Sequence, residues 1–224
     1  KWTTRKEEDN PAMAYVHNLG SVSNSGKEGF MMLGYDDIYS IEYMYEKRMG
    51  YWKHDGKVTI FDAFEKLRDN YQAIMERCRA FDELIYDDAE KAGGKKYAEI
   101  CSASYRQVIS AHKLFTDKEG NLLWFSKENN SNGCVNTVDL TYPSAPLFLV
   151  YNPELQKAMM TSIFEYSASG RWNKPFPAHD LGTYPIANGQ VYGGDMPIEE
   201  GGNMVILAAV SYTHLRAHET GAYL

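Results

Sequence analysis

The sequence predicts a mainly α chain, forming part of a ring of αα-hairpins that follows the closing strands of a sheet domain. From residue 59 onward, apolar side chains recur at three- and four-residue steps, the period of amphipathic helices. Residues 12–52 instead mix aromatic and branched side chains with turn residues, as strands and their connections do. The segment 171–194 is long, aromatic and without helical period, and such loops in compact domains are usually functional.

These observations divide the chain into three parts. We expect the end of a sheet domain and a linker at 1–57, and the first part of a truncated helical ring at 58–209. Residues 210–220 resemble the conceptual translation of a transposase sequencing adapter, so we expect 210–224 to be a non-native tail. His214 and His218 have the spacing of metal ligands on a helix, but because they lie in this tail we discount them.

Composition narrows the classes of function. The 224 residues are 44% hydrophobic and 24% charged, as in an ordinary globular protein of one domain or slightly more. The net charge of -7, without a block dense in Lys or Arg, argues against nucleic acid as a partner. The apolar runs are too short for a transmembrane segment. Three cysteines do not make a disulfide scaffold, and we predict neither a cofactor nor a metal.

The predicted elements follow local signals. Ala12–Val16 and Ile38–Tyr45 are the expected strands. A long helix begins after Thr59, which forms a capping box with Asp62, and ends at Gly93 and Gly94. The same patterns predict a second helix at Tyr97–Phe115 that pairs with the first, and then a turn and a short strand within Lys118–Ser126. Two further helices are expected at Leu140–Tyr151 and 153–169, and Pro197–Asn203 leads into a final helix that opens at Met204. We expect Cys78 and Cys101 to be packed between the first two helices.

Several ordered stretches resemble the glutaminase A family of fungi and bacteria. They are YRQVISAHK at Tyr105–Lys113, SKEN at Ser126–Asn129, SNGCVNTVDLTYP at Ser131–Pro143, PLFLVYNPEL at Pro146–Leu155, PAHDLGTYP at Pro177–Pro185 and MPIEEGGNM at Met196–Met204. The similarity runs over most of residues 12–209.

The resemblance implies a β-sandwich followed by a six-hairpin (α/α)6 toroid, of which this chain would hold the end of the sandwich and the first half of the ring. It also implies hydrolysis of L-glutamine to glutamate and ammonia by an intact parent that is periplasmic or secreted. We expect the 224-residue chain by itself to be inactive because half a ring leaves apolar faces exposed. The oligomeric state remains open.

Carboxylates are the candidate catalytic residues, because hydrolysis needs proton transfer and an activated water. Asp180 lies in the aromatic loop, where it either acts on substrate or fixes the loop by accepting backbone N–H bonds. Glu199 and Glu200 precede a helix, so either one faces the cleft or both only complement the helix dipole. Asp139 is a fourth candidate, unless it is only a helix cap.

Candidate substrate-binding residues surround these acids. His179 either orients Asp180, binds substrate or is a satisfied loop histidine. The other candidates are aromatic side chains that could stack on substrate or pack the core, and one asparagine, namely Trp172, Tyr184, Tyr192 and Asn136.

Two other nucleophile arrangements are weaker. Cys134 is a possible nucleophile with His179 as its base, although nothing in the sequence brings them together. Ser110 and Lys113 match the Ser-x-x-Lys pattern of unrelated enzymes, but Ser110 falls inside a predicted helix.

The small-molecule substrate is therefore glutamine or a glycoside. Besides a glutaminase-like hydrolase, the residues are compatible with a glycoside hydrolase on the same fold. A carbohydrate-binding surface protein without catalysis is the third alternative.

Overall fold

The computed structural model describes residues 14–128 and 132–221, with side chains as far as Leu215. The chain divides into two compact units, Lys1–Tyr35 and Asp36–Leu224. The described part of the first unit, 14–35, contains neither helix nor strand, and a turn at Ser23–Gly26 is closed by a hydrogen bond of 2.9 Å between Gly26 N and Ser23 O.

The second unit is mainly α, which confirms the predicted fold class. Its helices are α1 (Ile60–Asp69), α2 (Tyr71–Gly93), α3 (Lys95–Ser110), α4 (Val138–Tyr151), α5 (Pro153–Ala168) and α6 (Pro197–Gly221). Its strands are β1 (Ile41–Tyr43), β2 (Glu46–Arg48), β3 (His112–Thr116), β4 (Leu122–Ser126) and β5 (Ile186–Ala187). None of the helices described here is both long and apolar enough to cross a membrane.

Short turns pair the helices. Gly94 joins α2 to α3 with a φ of 79°, a conformation that glycine adopts without strain, and the two helices pack against each other. Asn152 joins α4 to α5, and its side chain accepts a hydrogen bond of 3.3 Å from Leu155 N, as an N-cap side chain does. Helix α6 packs against both α4 and α5.

Two small sheets support these helices. Strands β3 and β4 form an antiparallel hairpin that packs against α5. Strand β1 pairs antiparallel with β2 and parallel with β5, which brings the loop between α5 and α6 back to the start of the unit. The main core is formed by buried side chains from β1, β3, β4, the helices α4, α5 and α6, and the loop between α5 and α6. It includes Tyr43, Phe115, Phe125, Val138, Ile163, Leu181 and Met204.

Three local predictions were wrong. The helix predicted to reach Phe115 ends at Ser110, because the residues after Ala111 pair with Leu122–Ser126 instead. The helix after Thr59 is interrupted at Asn70, although its capping box forms through both Thr59–Asp62 hydrogen bonds. Cys78 is exposed rather than packed.

Other expectations about the chain's ends and boundaries stay predictions. The strand expected at Ile38–Tyr45 is shortened to Ile41–Tyr43. Of the strand expected at Ala12–Val16, residues 14–16 form no strand, and Ala12 and Met13 lie outside the described residues. Helix α6 continues through 210–221, which leaves open whether this tail is foreign to the parent protein.

Candidate active site

Two of the predicted acids lie in the first turns of helices that pack together. Asp139 is in the first turn of α4, and Glu200 is in the first turn of α6. Exposed N–H groups at the start of a helix favour negative charge there. Glu200 is nevertheless fully buried, while the side chain of Asp139 is 33% exposed. The packing of α4 on α6 therefore brings two carboxylates to the same end of the helix pair.

The loop between α5 and α6 places His179 against the same end. Val138 N, at the start of α4, donates a hydrogen bond of 2.9 Å to His179 O, and Val135 N donates one of 2.9 Å to Gly182 O. Gly182 has a φ of 138°, and a Cβ there would lie 2.2 Å from Ile186 O, so this turn requires glycine. The paired segments fix the backbone of His179 beside the first turn of α4.

Asp180 organises this loop instead of facing an open cleft. Its buried carboxylate accepts four hydrogen bonds of 2.9–3.1 Å, from Gly182 N, Val191 N, Tyr192 N and His179 Nδ1. Because an ionised carboxylate only accepts hydrogen bonds, Nδ1 of His179 carries the hydrogen. The other ring nitrogen, Nε2, lies 3.9 Å from Asp139 Oδ1, and in the neutral imidazole it presents its lone pair there.

Asp139, His179 and Glu200 form what we call the acceptor cluster. One ligand atom of each side chain lies within 4.8 Å of the other two. Neither carboxylate oxygen of Glu200 has a hydrogen-bond partner among the described residues, and the same holds for Asp139 Oδ1. The cluster thus concentrates lone pairs in a buried space without the donors that buried acceptors normally have.

Burial and nearby negative charges raise the pKa values of two groups in this region, Glu200 and Cys134. Burial, together with the negative charges of Asp139, Glu199 and Asp180, raises the pKa of Glu200 to about 8. Burial, followed by the negative charge of Asp180, raises the pKa of Cys134 to about 12. Cys134 is also only 1% exposed, so the thiol stays neutral at physiological pH and does not behave as an activated nucleophile.

Among the remaining predicted substrate-binding residues, Tyr192 is the one that contacts a member of the acceptor cluster. Its ring stacks on the His179 imidazole with centroids 4.2 Å apart and an interplanar angle of 19°. Trp172 and Tyr184 are half-buried and pack against the main core instead. Glu199 is exposed, whereas its neighbour Glu200 is buried.

Asn136 also lies outside the acceptor cluster. It is fully buried, and its Nδ2 donates to Met159 O at 3.0 Å and to Ser162 Oγ at 2.7 Å, both on α5. These contacts tie the segment before α4 to α5, while the buried Oδ1 of Asn136 has no hydrogen-bond partner among the described residues.

Glu128 is a neighbouring acid that the sequence did not single out. Its Oε1 accepts a hydrogen bond of 2.9 Å from Thr137 Oγ1, next to the start of α4, and its charge contributes to the raised pKa of Cys134. The only signal was its place in the SKEN stretch, whose Asn129 lies outside the described residues.

The other two sequence patterns form no site among the side chains that the structure describes. Ser110 Oγ donates to Gln107 O at 2.9 Å, while Lys113 pairs with Asp37 at 2.6 Å. The Nδ1 atom of His214 lies 3.0 Å from Val210 O, and the side chain of His218 lies outside the described residues.

Comparison with known proteins gives two family matches. The glutaminase A six helical-hairpin domain matches residues 94–223, and a domain of unknown function (DUF5127) matches residues 1–88. Glutaminase A of Aspergillus oryzae is 36% identical over 206 residues, 88% of this chain and 29% of the relative. A probable glutaminase of Arthroderma benhamiae is 36% identical over 132 residues, 58% of this chain and 15% of the relative.

The chain belongs to the glutaminase A family. The resemblance drawn from the quoted stretches is thereby confirmed. The chain spans 29% of the Aspergillus relative's length, so the acceptor cluster is a candidate site within part of a longer family architecture.

Proposed function

We propose that the intact protein hydrolyses the side-chain amide of L-glutamine, and that the acceptor cluster activates the attacking water. The single observation that supports this site is the convergence of Asp139, His179 and Glu200, with unpartnered carboxylate oxygens, in a member of the glutaminase A family. Relatives that are named glutaminases supply the substrate class.

The reaction requires one water and no other co-reactant. The water oxygen bonds to the amide carbon, the carbon–nitrogen bond breaks, and nitrogen leaves as ammonia with one hydrogen from the water. A group of lone pairs in a buried space orients such a water through its hydrogens. His179 presents Nε2 to this space because Asp180 holds Nδ1 at 3.0 Å, the same arrangement in which a carboxylate fixes the tautomer of a catalytic histidine.

A glycoside hydrolase remains the second candidate. Inverting glycosidases keep their two carboxyl groups about 6.5–9.5 Å apart, to admit a water between them. The ligand atoms of Asp139 and Glu200 lie within 4.8 Å of each other, so this pair is unsuited to that mechanism. A retaining enzyme, with a separation of about 5–5.5 Å, is the closer alternative.

The test measures ammonia release from L-glutamine by the purified intact protein. We expect Asp139→Asn and Glu200→Gln each to reduce kcat/KM at least about 100-fold. Glu154→Gln is the matched control, because Glu154 is an exposed acid in the first turn of α5, which also begins with proline. It should retain full activity, and circular dichroism should show that every variant is folded.

The outcomes separate the candidates. A folded protein that releases no ammonia overturns the glutaminase proposal. Cleavage of aryl glycosides that is lost in both cluster variants would support the glycosidase. Sugar binding that survives both substitutions without turnover would support the non-catalytic alternative.

We further propose that the intact protein acts outside the cytoplasm, as the family resemblance implies. Fractionation of cells that express it should place it in the periplasm or medium. Recovery from the cytoplasm alone would contradict this.

A further inference from the structure

Within the described part of the chain, His179 is the one ion-pair partner of the acids in and beside the acceptor cluster. The ion pairs there include no Lys or Arg partner for Asp139, Asp180 or Glu200. The donors that surround Asp180 satisfy that carboxylate alone, while both oxygens of the fully buried Glu200 remain without a partner. Buried carboxylates normally pair with a cation or coordinate a metal.

We propose that Asp139, His179 and Glu200 bind one divalent transition-metal cation of the Zn²⁺ or Mn²⁺ type, through one oxygen of each acid and Nε2 of the histidine. This proposal changes the sequence-based expectation that no metal is bound. The binding proposal stands on the geometry of the cluster, whereas a role for the cation in amide hydrolysis rests on the proposed function.

The ligand atoms select the class of metal. One imidazole nitrogen with two carboxylate oxygens is a mixed set that zinc and related first-row metals accept. Calcium and magnesium prefer oxygen ligands throughout. Three protein ligands also leave a coordination position for water, as in catalytic rather than structural zinc sites.

The distances are compatible with such a cation. In a tetrahedral site, two metal–ligand bonds of about 2.0–2.2 Å place their ligand atoms about 3.3–3.6 Å apart. His179 Nε2 and Asp139 Oδ1 lie 3.9 Å apart, slightly more than this, and all three ligand atoms lie within 4.8 Å of one another. Binding would therefore draw the ligand atoms together by up to about 1.5 Å.

The surroundings of His179 are a second, independent indication. Metal-binding histidines almost always donate their other ring N–H to a carboxylate, a carbonyl or water, which fixes the ring and the tautomer. Asp180 provides this contact at 3.0 Å, and its own position is fixed by three backbone N–H groups. Tyr192 covers one face of the imidazole. Nε2 is thus directed at the two acids with little freedom to turn away.

A bound cation would add a specific capacity to the site. It would hold water at its open position and lower the pKa of that water, which provides a nucleophile near neutral pH. The chain's own contribution is to fix three ligands, orient the imidazole and keep Glu200 out of solvent.

The test is a direct measurement of metal binding to the intact protein. The purified protein is stripped with EDTA, dialysed, and titrated with Zn²⁺, Mn²⁺ and Ca²⁺ by calorimetry, with elemental analysis for stoichiometry. We expect one site for Zn²⁺ or Mn²⁺ that Glu200→Gln, Asp139→Asn and His179→Gln each weaken at least about 100-fold. The control Glu154→Gln should bind as the unaltered protein does.

Several results would overturn the proposal. These are the absence of a Zn²⁺ or Mn²⁺ site in the folded protein, binding that survives all three substitutions, and equal affinity for Ca²⁺. Cobalt substitution provides a second readout, since visible absorption bands should appear in the unaltered protein and be absent from Glu200→Gln.

Activity distinguishes failure of the metal site from failure of the proposed function. If the metal binds but no amide is hydrolysed, the binding proposal stands and the glutaminase proposal falls. If ammonia release persists fully after the metal is removed, the cation has no part in the reaction. Loss of ammonia release on chelation and its return with Zn²⁺ or Mn²⁺ would support both proposals.

Discussion

Two regions of this chain contain acids that are wholly or partly buried, and the regions differ in the hydrogen-bond donors that face these acids. Beside a cavity of about 380 Å³, Glu165 Oε2 accepts the Tyr43 hydroxyl at 2.5 Å, and Asp117 accepts two hydrogen bonds from Asn121. In the acceptor cluster, Glu200 is more completely buried yet has no donor among the described residues.

The difference shows how burial alone fails to identify function. A buried carboxylate with its donors in place contributes to the native structure, because removing either partner leaves the other unsatisfied. A buried carboxylate without donors costs stability and is retained where something else binds it. The free energy of unfolding should therefore respond to substitutions in opposite directions in the two regions.

The largest change in the free energy of unfolding should come from substitution of Asp180, which lies beside the acceptor cluster and accepts four hydrogen bonds. Asp180→Ala leaves three backbone N–H groups and His179 Nδ1 without their acceptor. At about 1–3 kcal/mol for each unsatisfied buried donor, we expect a loss of at least about 3 kcal/mol in the free energy of unfolding. Urea unfolding of the purified protein measures it. A loss below about 1 kcal/mol would show that the loop does not depend on this carboxylate.

A smaller change in the free energy of unfolding, with opposite signs in the two regions, should follow from the conservative substitutions Glu200→Gln and Tyr43→Phe. With EDTA present, Glu200→Gln should raise the free energy of unfolding by about 0.5–2 kcal/mol, because it removes an unpartnered buried carboxylate. Tyr43→Phe should lower it by about 1–2 kcal/mol, because Glu165 loses its donor. Both are measured by urea unfolding at the same pH. Destabilisation by both substitutions would remove the distinction between the regions.

The smallest effect concerns pH and belongs to Glu165. Burial raises the pKa of this carboxyl, with further raising by Asp117, above its ordinary value of 4.5. The native state then binds more protons than the unfolded state as pH rises above about 4.5, so stability falls through this range. Glu165→Gln should flatten that part of the curve of melting temperature against pH.

The control for this pH effect is Glu154→Gln, an exposed acid on the same helix. Glu154→Gln should show the same slope of melting temperature against pH as the unaltered protein. An unchanged slope in Glu165→Gln would show that Glu165 titrates alike in the native and unfolded states.

Local signals predicted many helix boundaries of this fold. The capping box at Thr59, the Asn152-Pro153 start of α5 and the glycine turn at Gly94 each depend on a few neighbouring residues. The strand β3 was missed because the apolar residues after Ala111 suit a helix as well as a strand, and pairing with Leu122–Ser126 decides between them.

The residues of the candidate site could be predicted from the sequence, but the role of each residue could not. Asp139, His179, Asp180 and Glu200 all appeared among the predicted residues, because acids at helix starts and in a long aromatic loop are recognisable along the chain. The sequence left open whether Glu199 or Glu200 was buried, and whether Asp180 acted on substrate or fixed the loop.

The sequence by itself therefore determined the family, the mainly α class and the short list of acids, because these depend on local patterns and on ordered strings of residues. Only the tertiary structure decided which acids have donors. That depends on α4 packing against α6 and on the loop that returns to pair with residues 133–138, contacts between segments distant in the chain. Hydrogen-bond satisfaction is a property of the folded surroundings of a side chain, and no local pattern encodes it.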